Sequence, residues 1–434
     1  MRLLHTETLE LKEFFASTAV PNFGVDKLHD AEGGDSAIPR YAILSHVWGP
    51  EEVSFKEMKD ERDLAESKKG FPKVRDSCAQ ARRDGFKYIW IDTCCIDKSS
   101  STELSEAINS MYAWYRDSEI CYVLLADVYI GPLRGRIWHD FYTSRWFTRG
   151  WTLQELLVPA HVRFFRGDWK PLGTKLELID DISAITKIDL YALAGGDLSR
   201  LSVARRMSWV VNRQTTRLED ITYYLLGIFG INMPLLYGEG MKAFIRLQEE
   251  IMKITDDQSI FTWRDPTANS YRDDYPEGSN PQGLLAPSPK TFQYSKSISQ
   301  FHSETPGSAI STSTNKGLKV EFLMCRDPNY PSELVYMAIL RCAIGQLPGH
   351  LAGIRLRRLT PTGEQYARID MSLLFHFTKP GNGISNSRYG YGSNYEVLAH
   401  PQFRSFDPTK PQASLIELDS SKFIAPLASF SIID

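Results

Sequence analysis

Most of what this chain lacks removes a class of function. Its 434 residues hold six cysteines, Cys78, Cys94, Cys95, Cys121, Cys325 and Cys342, too few and too scattered for a disulfide-built scaffold. Cys94 and Cys95 are adjacent, so no C-x-x-C pair arises, and the nine histidines form no H-x-x-x-H pair; no metal site is expected. No Walker A loop is present. A net charge of −3 gives no electrostatic footprint for nucleic acid or an anionic membrane. There is no N-x-S/T acceptor and no apolar run long enough to span a bilayer. The opening M-R-L-L-H-T-E-T-L-E-L-K is broken by charge before a signal-peptide core can form. A soluble, cytoplasmic protein with no nucleic-acid partner and no membrane span is the expectation.

What is present is ordinary globular composition, 42% apolar and 24% charged, with length for two or three domains. Y-A-I-L-S (41–45), K-Y-I-W-I-D (87–92), I-C-Y-V-L-L-A-D (120–127) and H-V-R-F-F (161–165) are β-rich and almost continuously apolar, as strands covered on both faces should be. Between them, Pro72 to Arg83 reads as a helix, and Leu104, Ile108, Met111, Tyr112 and Tyr115 fall on one helical face. This alternation predicts a parallel α/β sheet with right-handed crossovers over 1–175. Amphipathic helical runs over 176–256 predict a helical extension packed on that sheet. From 257 to 434, alternating runs such as L-K-V-E-F-L-M and L-V-Y-M-A-I-L-R predict a β-rich C-terminal domain, with loops at 303–317 and 379–393.

Open parallel sheets bind ligands beyond the carboxyl ends of their strands. The residues falling there are Ser45, His46, Trp48 and Gly49 after the first strand, Asp92 and Thr93 after the second, and Asp127 after the third. Asp92 and Asp127 also suit turn closure. Trp48, Trp146 and Trp151 suit the core before they suit a ligand platform, and Arg145 and Arg149 suit solvated loop charges before phosphate partners. Gly238, Gly240 and Ala243 spell G-x-G-x-x-A, but without the strand and acid that a dinucleotide fingerprint needs. Cys94 with His46 as base would make a nucleophilic hydrolase if the fold brought them together. Glu155, in G-W-T-L-Q-E-L-L, completes T-x-x-E with Thr152, a capping box, as do Ser100 to Glu103 and Thr216 to Glu219. On its residues alone, Glu155 is better explained by capping than by chemistry.

Three segments together resemble the fungal heterokaryon-incompatibility (HET) domain: Y-A-I-L-S-H-V-W-G at 41–49, W-I-D-T-C-C-I-D-K at 90–98 and R-G-W-T-L-Q-E-L at 149–156. The stretch M-P-L-L-Y-G-E-G-M-K-A-F-I-R-L-Q-E-E-I at 233–251 looks like the segment trailing that domain, so the resemblance covers residues 1 to about 255; Lys98 departs from the Gln found in many members. The resemblance implies a programmed cell-death effector of heterokaryon incompatibility, a form of innate immunity, with a TIR/flavodoxin-like sheet. Enzymatic TIR domains cleave the nicotinamide–ribose bond of NAD with the Glu of a W-x-x-x-E motif, and here Trp151 and Glu155 occupy that motif. The implied roles are Glu155 as catalytic residue and Ser45, His46, Trp48, Asp92, Trp146, Arg149 and Trp151 as binders of NAD, which is substrate, so no cofactor is expected. Self-association into an oligomer and an upstream sensor protein are the implied partners. A non-enzymatic, self-associating adaptor is the alternative.

Overall fold

The computed structural model describes residues 1–15, 38–129, 136–265, 283–300, 312–314, 317–327, 330, 334–345, 351–363, 365–369, 374–378, 397–398, 415–418 and 428–432. The chain divides into two compact units, residues 1–196 with 213–235, and residues 197–212 with 236–434.

In the first unit the described residues form a seven-stranded sheet: β1 (Arg2–His5), β2 (Leu11–Glu13), β3 (Ala42–His46), β4 (Tyr88–Trp90), β5 (Ile120–Leu125), β6 (Val162–Arg166) and β7 (Pro171–Thr174), in the order β2-β1-β4-β3-β5-β6-β7. The four apolar runs expected as strands are its parallel centre, β4-β3-β5-β6. Every residue of β3 is buried, as are the last five of β5, the pattern of strands covered on both faces. Three short strands escaped the sequence pattern, β1, β2, which pairs antiparallel with β1, and β7. β1 pairs antiparallel with β4, and β7 antiparallel with β6. They carry only three or four residues each, too few to display an alternation.

The crossovers hold α1 (Phe55–Asp60), α2 (Arg62–Ser67), α3 (Phe71–Arg83), α4 (Asp92–Cys95), α5 (Ser101–Asp117), α6 (Arg136–Thr143) and α7 (Thr152–Leu157). Pro72 stands in the first turn of α3, where its missing N–H costs nothing. α5 starts at Ser100, whose hydroxyl accepts from the Glu103 N–H, and buries Ala107, Ile108, Met111 and Tyr115. Only half of the expected capping box forms there, because the Glu103 carboxylate instead takes Arg2 and the Asp97 N–H. A complete box appears where none was expected, at Ser54 and Glu57.

The helical stretch after the sheet comprises α8 (Ile179–Thr186), α9 (Leu190–Leu193), α10 (Val203–Ser208), α11 (Asp220–Tyr223), α12 (Leu226–Phe229) and α13 (Lys242–Ile254). It is shared between the two units: α10 and α13 lie in the second, the others in the first. Thr216 to Glu219 does not make a capping box, since α11 begins after Glu219 with no side-chain cap bond. Gly227 in α12 lets that helix press on Tyr112 of α5; a Cβ there would come within 2.3 Å of the tyrosine Cβ.

The second unit is β-rich among its described residues: β8 (Ile298–Gln300), β9 (Thr312–Thr314), β10 (Gly317–Arg326), β11 (Val335–Ile344), β12 (Leu351–Arg358), β13 (Gln365–Ile369), β14 (Phe375–Thr378), β15 (Val397–Leu398), β16 (Leu415–Leu418) and β17 (Ala428–Ile432). Pairing runs β12-β13-β17-β10-β11 and returns to β12, a closed ring that removes the exposed edges of those strands. Arg368 of β13 is fully buried and donates to the carbonyls of Phe261 (2.9 Å) and Trp263 (2.6 Å), tying the turn after α13 to the ring. Of the loop expected at 303–317, residues 312–314 are strand β9 and Gly317 opens β10, while 303–311 and 315–316 lie outside the described residues, as does all of 379–393.

Candidate functional site

Taken in chain order, the four parallel strands stand 2-1-3-4 in the sheet, so the winding reverses between β3 and β5. A crevice beyond the carboxyl ends of those strands is the expected ligand position. β3 ends there in Ser45 and His46, and two hydrogen-bonded chains start from these neighbours.

The first chain is buried. Trp146 Nε1 donates to Ser45 Oγ at 2.8 Å, and Ser45 Oγ donates to Glu155 Oε2. Ser45 and Trp146 are 0% exposed and Glu155 8%. Tyr115 of α5, whose hydroxyl donates to the Leu44 carbonyl at 3.3 Å, also acts on the Glu155 carboxyl. Burial pushes Glu155 up from 4.5 to about 8; the Ser45 hydrogen bond resists this, the negative charge of Asp92 adds to it, and the positive charge of Arg213 resists it.

The second chain reaches solvent. His46 Nε2 lies 3.1 Å from Asp92 Oδ1, and Lys73 Nζ 2.8 Å from His46 Nδ1. An ammonium can only donate, so Nδ1 accepts, and Nε2 carries the proton it gives to Asp92. Trp48 Nε1 donates to Asp92 Oδ2 at 2.9 Å, and Lys98 Nζ sits 3.4 Å from the same oxygen and 3.6 Å from the centre of the Trp48 ring. Burial disfavours the Asp92 charge, yet Lys98, His46 and Trp48 outweigh it and hold the carboxyl well below its ordinary value. Asp92 is therefore an organising anion, and Trp48 is 50% exposed with the Lys98 ammonium over one face of its ring.

Several expectations change against this geometry. Thr152 and Glu155 form no capping box: α7 has no side-chain cap bond, and the Thr152 hydroxyl lies 2.7 Å from the Trp146 carbonyl and 2.8 Å from that of Arg149, positions where it can only donate. Trp146 offers no stacking face, being packed edge-on against Phe147 and Phe164. Arg149 contributes its backbone, which pairs with Gln214 and accepts from Arg213. Trp151 is half-buried, edge-to-face with Tyr224 at 6.2 Å. Asp127 ties the loop after β5 to the segment after α6, accepting from Ser144 Oγ (2.7 Å) and the Arg145 N–H (2.8 Å). The Cys94 and His46 pairing does not form: both ring nitrogens are engaged elsewhere, the buried thiol points to the Ile91 carbonyl, and its neighbour Cys95 together with burial keeps it well above its ordinary value.

Sequence reasoning missed Lys73, Glu52 and Arg213. Lys73 bridges His46 and Glu52, whose carboxylate also accepts the Gly49 N–H at 2.6 Å. A lysine in α3 and a glutamate in the loop after β3 read as solvated charges until the fold brings them together. Among the described residues no group of His, Cys, Asp and Glu could hold a metal ion.

Residues 41–129 match the Heterokaryon incompatibility protein (HET) family. The matched segment supplies β3, β4 and β5, and with them Ser45, His46, Trp48 and Asp92. Residues 242–371 match a domain of unknown function, DUF8212. The vegetative incompatibility protein HET-E-1 of Podospora anserina is 52% identical over 223 residues, which is 50% of this chain but 16% of that relative's length. No solved structure matches the chain significantly.

Proposed function

We propose that the chain is an effector of vegetative incompatibility whose first unit, once assembled, cleaves NAD at the nicotinamide–ribose bond. The observation that carries the reading is the Glu155 carboxyl, brought against Ser45 at the carboxyl edge of a parallel sheet, where its winding reverses. The 2-1-3-4 strand order is that of flavodoxin-like sheets and agrees with the TIR-like reading. The printed name of the Podospora relative supports the role in incompatibility.

The chemistry asks for one carboxylate. The C–N bond breaks as nicotinamide leaves with the electron pair, a neutral ring from a cationic one, so no general acid is needed. Water then adds to the ribose carbon and its proton passes to solvent. The transition state resembles the oxocarbenium ion of glycoside cleavage, which a fixed negative charge stabilises. With its titration raised to about 8, Glu155 is largely protonated at neutral pH. A cationic nicotinamide ring beside it favours the ionised form, so substrate itself generates the charge. Lys98, held over Trp48 at the exposed end of the site, is suited to a phosphate of the substrate.

Glu155 is too covered for a dinucleotide to touch it in the resting state. Activation by self-association fits this: dilute protein is closed, and assembly opens the edge. The same burial favours a second reading, in which Glu155 only holds Ser45 in place and the domain signals as an adaptor. Nicotinamide release by dilute and crowded protein, for wild type and Glu155→Gln, separates them. Release by crowded wild type and a loss of roughly 10²-fold or more in a folded Gln variant support cleavage. Cell killing without any nicotinamide release supports the adaptor.

A further inference from the structure

Arg213 is 3% exposed, and its guanidinium meets the turn that enters α7: Nη1 donates to the Arg149 carbonyl at 2.7 Å and lies 2.8 Å from Thr152 Oγ1. The neighbouring backbone closes on the same turn, with the Gln214 N–H donating to the Thr148 carbonyl (2.6 Å) and the Gly150 N–H to the Gln214 carbonyl (3.0 Å). Gly150 makes the approach feasible, since a Cβ there would lie 2.4 Å from the Tyr224 ring and 2.6 Å from the Thr215 methyl. Residues 213–215 thus clasp the three residues that lead into the helix bearing Glu155.

The clasp carries a charge without a counter-ion. The acceptors named for Arg213 are a carbonyl and a hydroxyl, both neutral, and its Nη2 is buried with no hydrogen-bond partner. A buried cation in this position is costly unless a carboxylate shares the site. Burial accordingly pushes Arg213 down to about 10. Around the Glu155 carboxyl stand Ser45 from β3, Asp92 from α4, Tyr115 from α5, Cys121 from β5 and, opposing Asp92, Arg213.

We propose that Arg213 is the positioning residue of the Glu155 site: it fixes the turn that aims the carboxyl at Ser45 and supplies the positive charge against which that carboxyl ionises. The proposal rests on the reading that Glu155 acts as a carboxylate on substrate. It explains how an anion can form in so buried a place.

The test follows the carboxylic-acid C=O infrared band of Glu155, assigned by its absence in Glu155→Gln, from pH 6 to 9.5 without NAD. Arg213→Gln should raise the titration by about one pH unit or more, and Arg213→Lys, which keeps the cation, should leave it within about half a unit. The pH limb of nicotinamide release should move with the band, whereas a merely structural role would lower the rate at every pH and leave the limb where it was. A band in Arg213→Gln that titrates as in wild type overturns the proposal. If that variant does not fold, Arg213→Lys decides alone, and a displacement of more than one unit with the cation kept overturns it. Should no form release nicotinamide while Arg213→Gln still displaces the titration, the cleavage reading falls and the hold of Arg213 on Glu155 stands.

Discussion

Replacing Glu155 by Gln turns the burial of one carboxyl into a pH-dependent stability. In the unfolded chain this group releases its proton near 4.5, and in the folded protein near 8. Between those values the folded state holds the extra proton, so stability contributed by the protonated group is complete below pH 4.5 and is lost as pH rises towards 8. At about 1.4 kcal/mol per pH unit, the interval gives a ceiling of about 5 kcal/mol, a large part of the 5–15 kcal/mol typical of a domain. Gln imitates the protonated acid: its amide oxygen accepts from Ser45 as the carboxyl does, and nothing on it ionises. The two proteins should therefore match within about 1 kcal/mol at pH 5. By pH 8 the variant should be the more stable by at least about 2 kcal/mol. Asp92 titrates below this window, and Lys175, which burial pushes down to about 8, enters both proteins alike and cancels in the difference. Urea unfolding at half-unit steps from pH 5 to 8 measures the effect. Parallel curves for wild type and Glu155→Gln over that range would refute the reasoning, because a carboxyl with an ordinary titration gives no divergence there.

Ser45→Ala removes the hydroxyl joining Trp146 to Glu155; leaving the indole N–H unpaired should cost about 1–3 kcal/mol, and a further rise in the Glu155 titration should be visible by infrared. Gly150→Ala forces a methyl into Tyr224 and Thr215 and should lower stability by about 1–3 kcal/mol, read from urea midpoints; an unchanged midpoint would mean that the clasp yields freely. A fragment of residues 259–434 should show no cooperative melting and a fragment of 197–434 should, because Asp257 and Ser259 bond the N–H groups of Val203 and Ala204, and Gln248 of α13 makes two bonds to the Ala286 backbone. Cooperative melting of the shorter piece would show that α10 and α13 are dispensable to its core.

The sequence by itself determined the parallel centre of the first unit, because a strand covered on both faces must be apolar throughout, and the carboxyl edge of that sheet, because strand ends follow from strand positions. It also determined that the chain becomes β-rich towards its C-terminus and that Ser45, His46 and Asp92 fall on one edge. Only the tertiary structure decided what those residues do. T-x-x-E is the same four letters whether Thr152 caps a helix or, as here, donates to carbonyls on a turn bent around Gly150. Trp146 is legible as aromatic, but its burial against Phe164 depends on a strand it does not adjoin in sequence. Arg213 lies far along the chain in a stretch with no motif, and its bearing on Glu155 exists only because residues 213–235 pack into the first unit. Periodicity reports which face of an element is dry. The partner of a buried charge is set by where distant segments meet, and no local pattern encodes that.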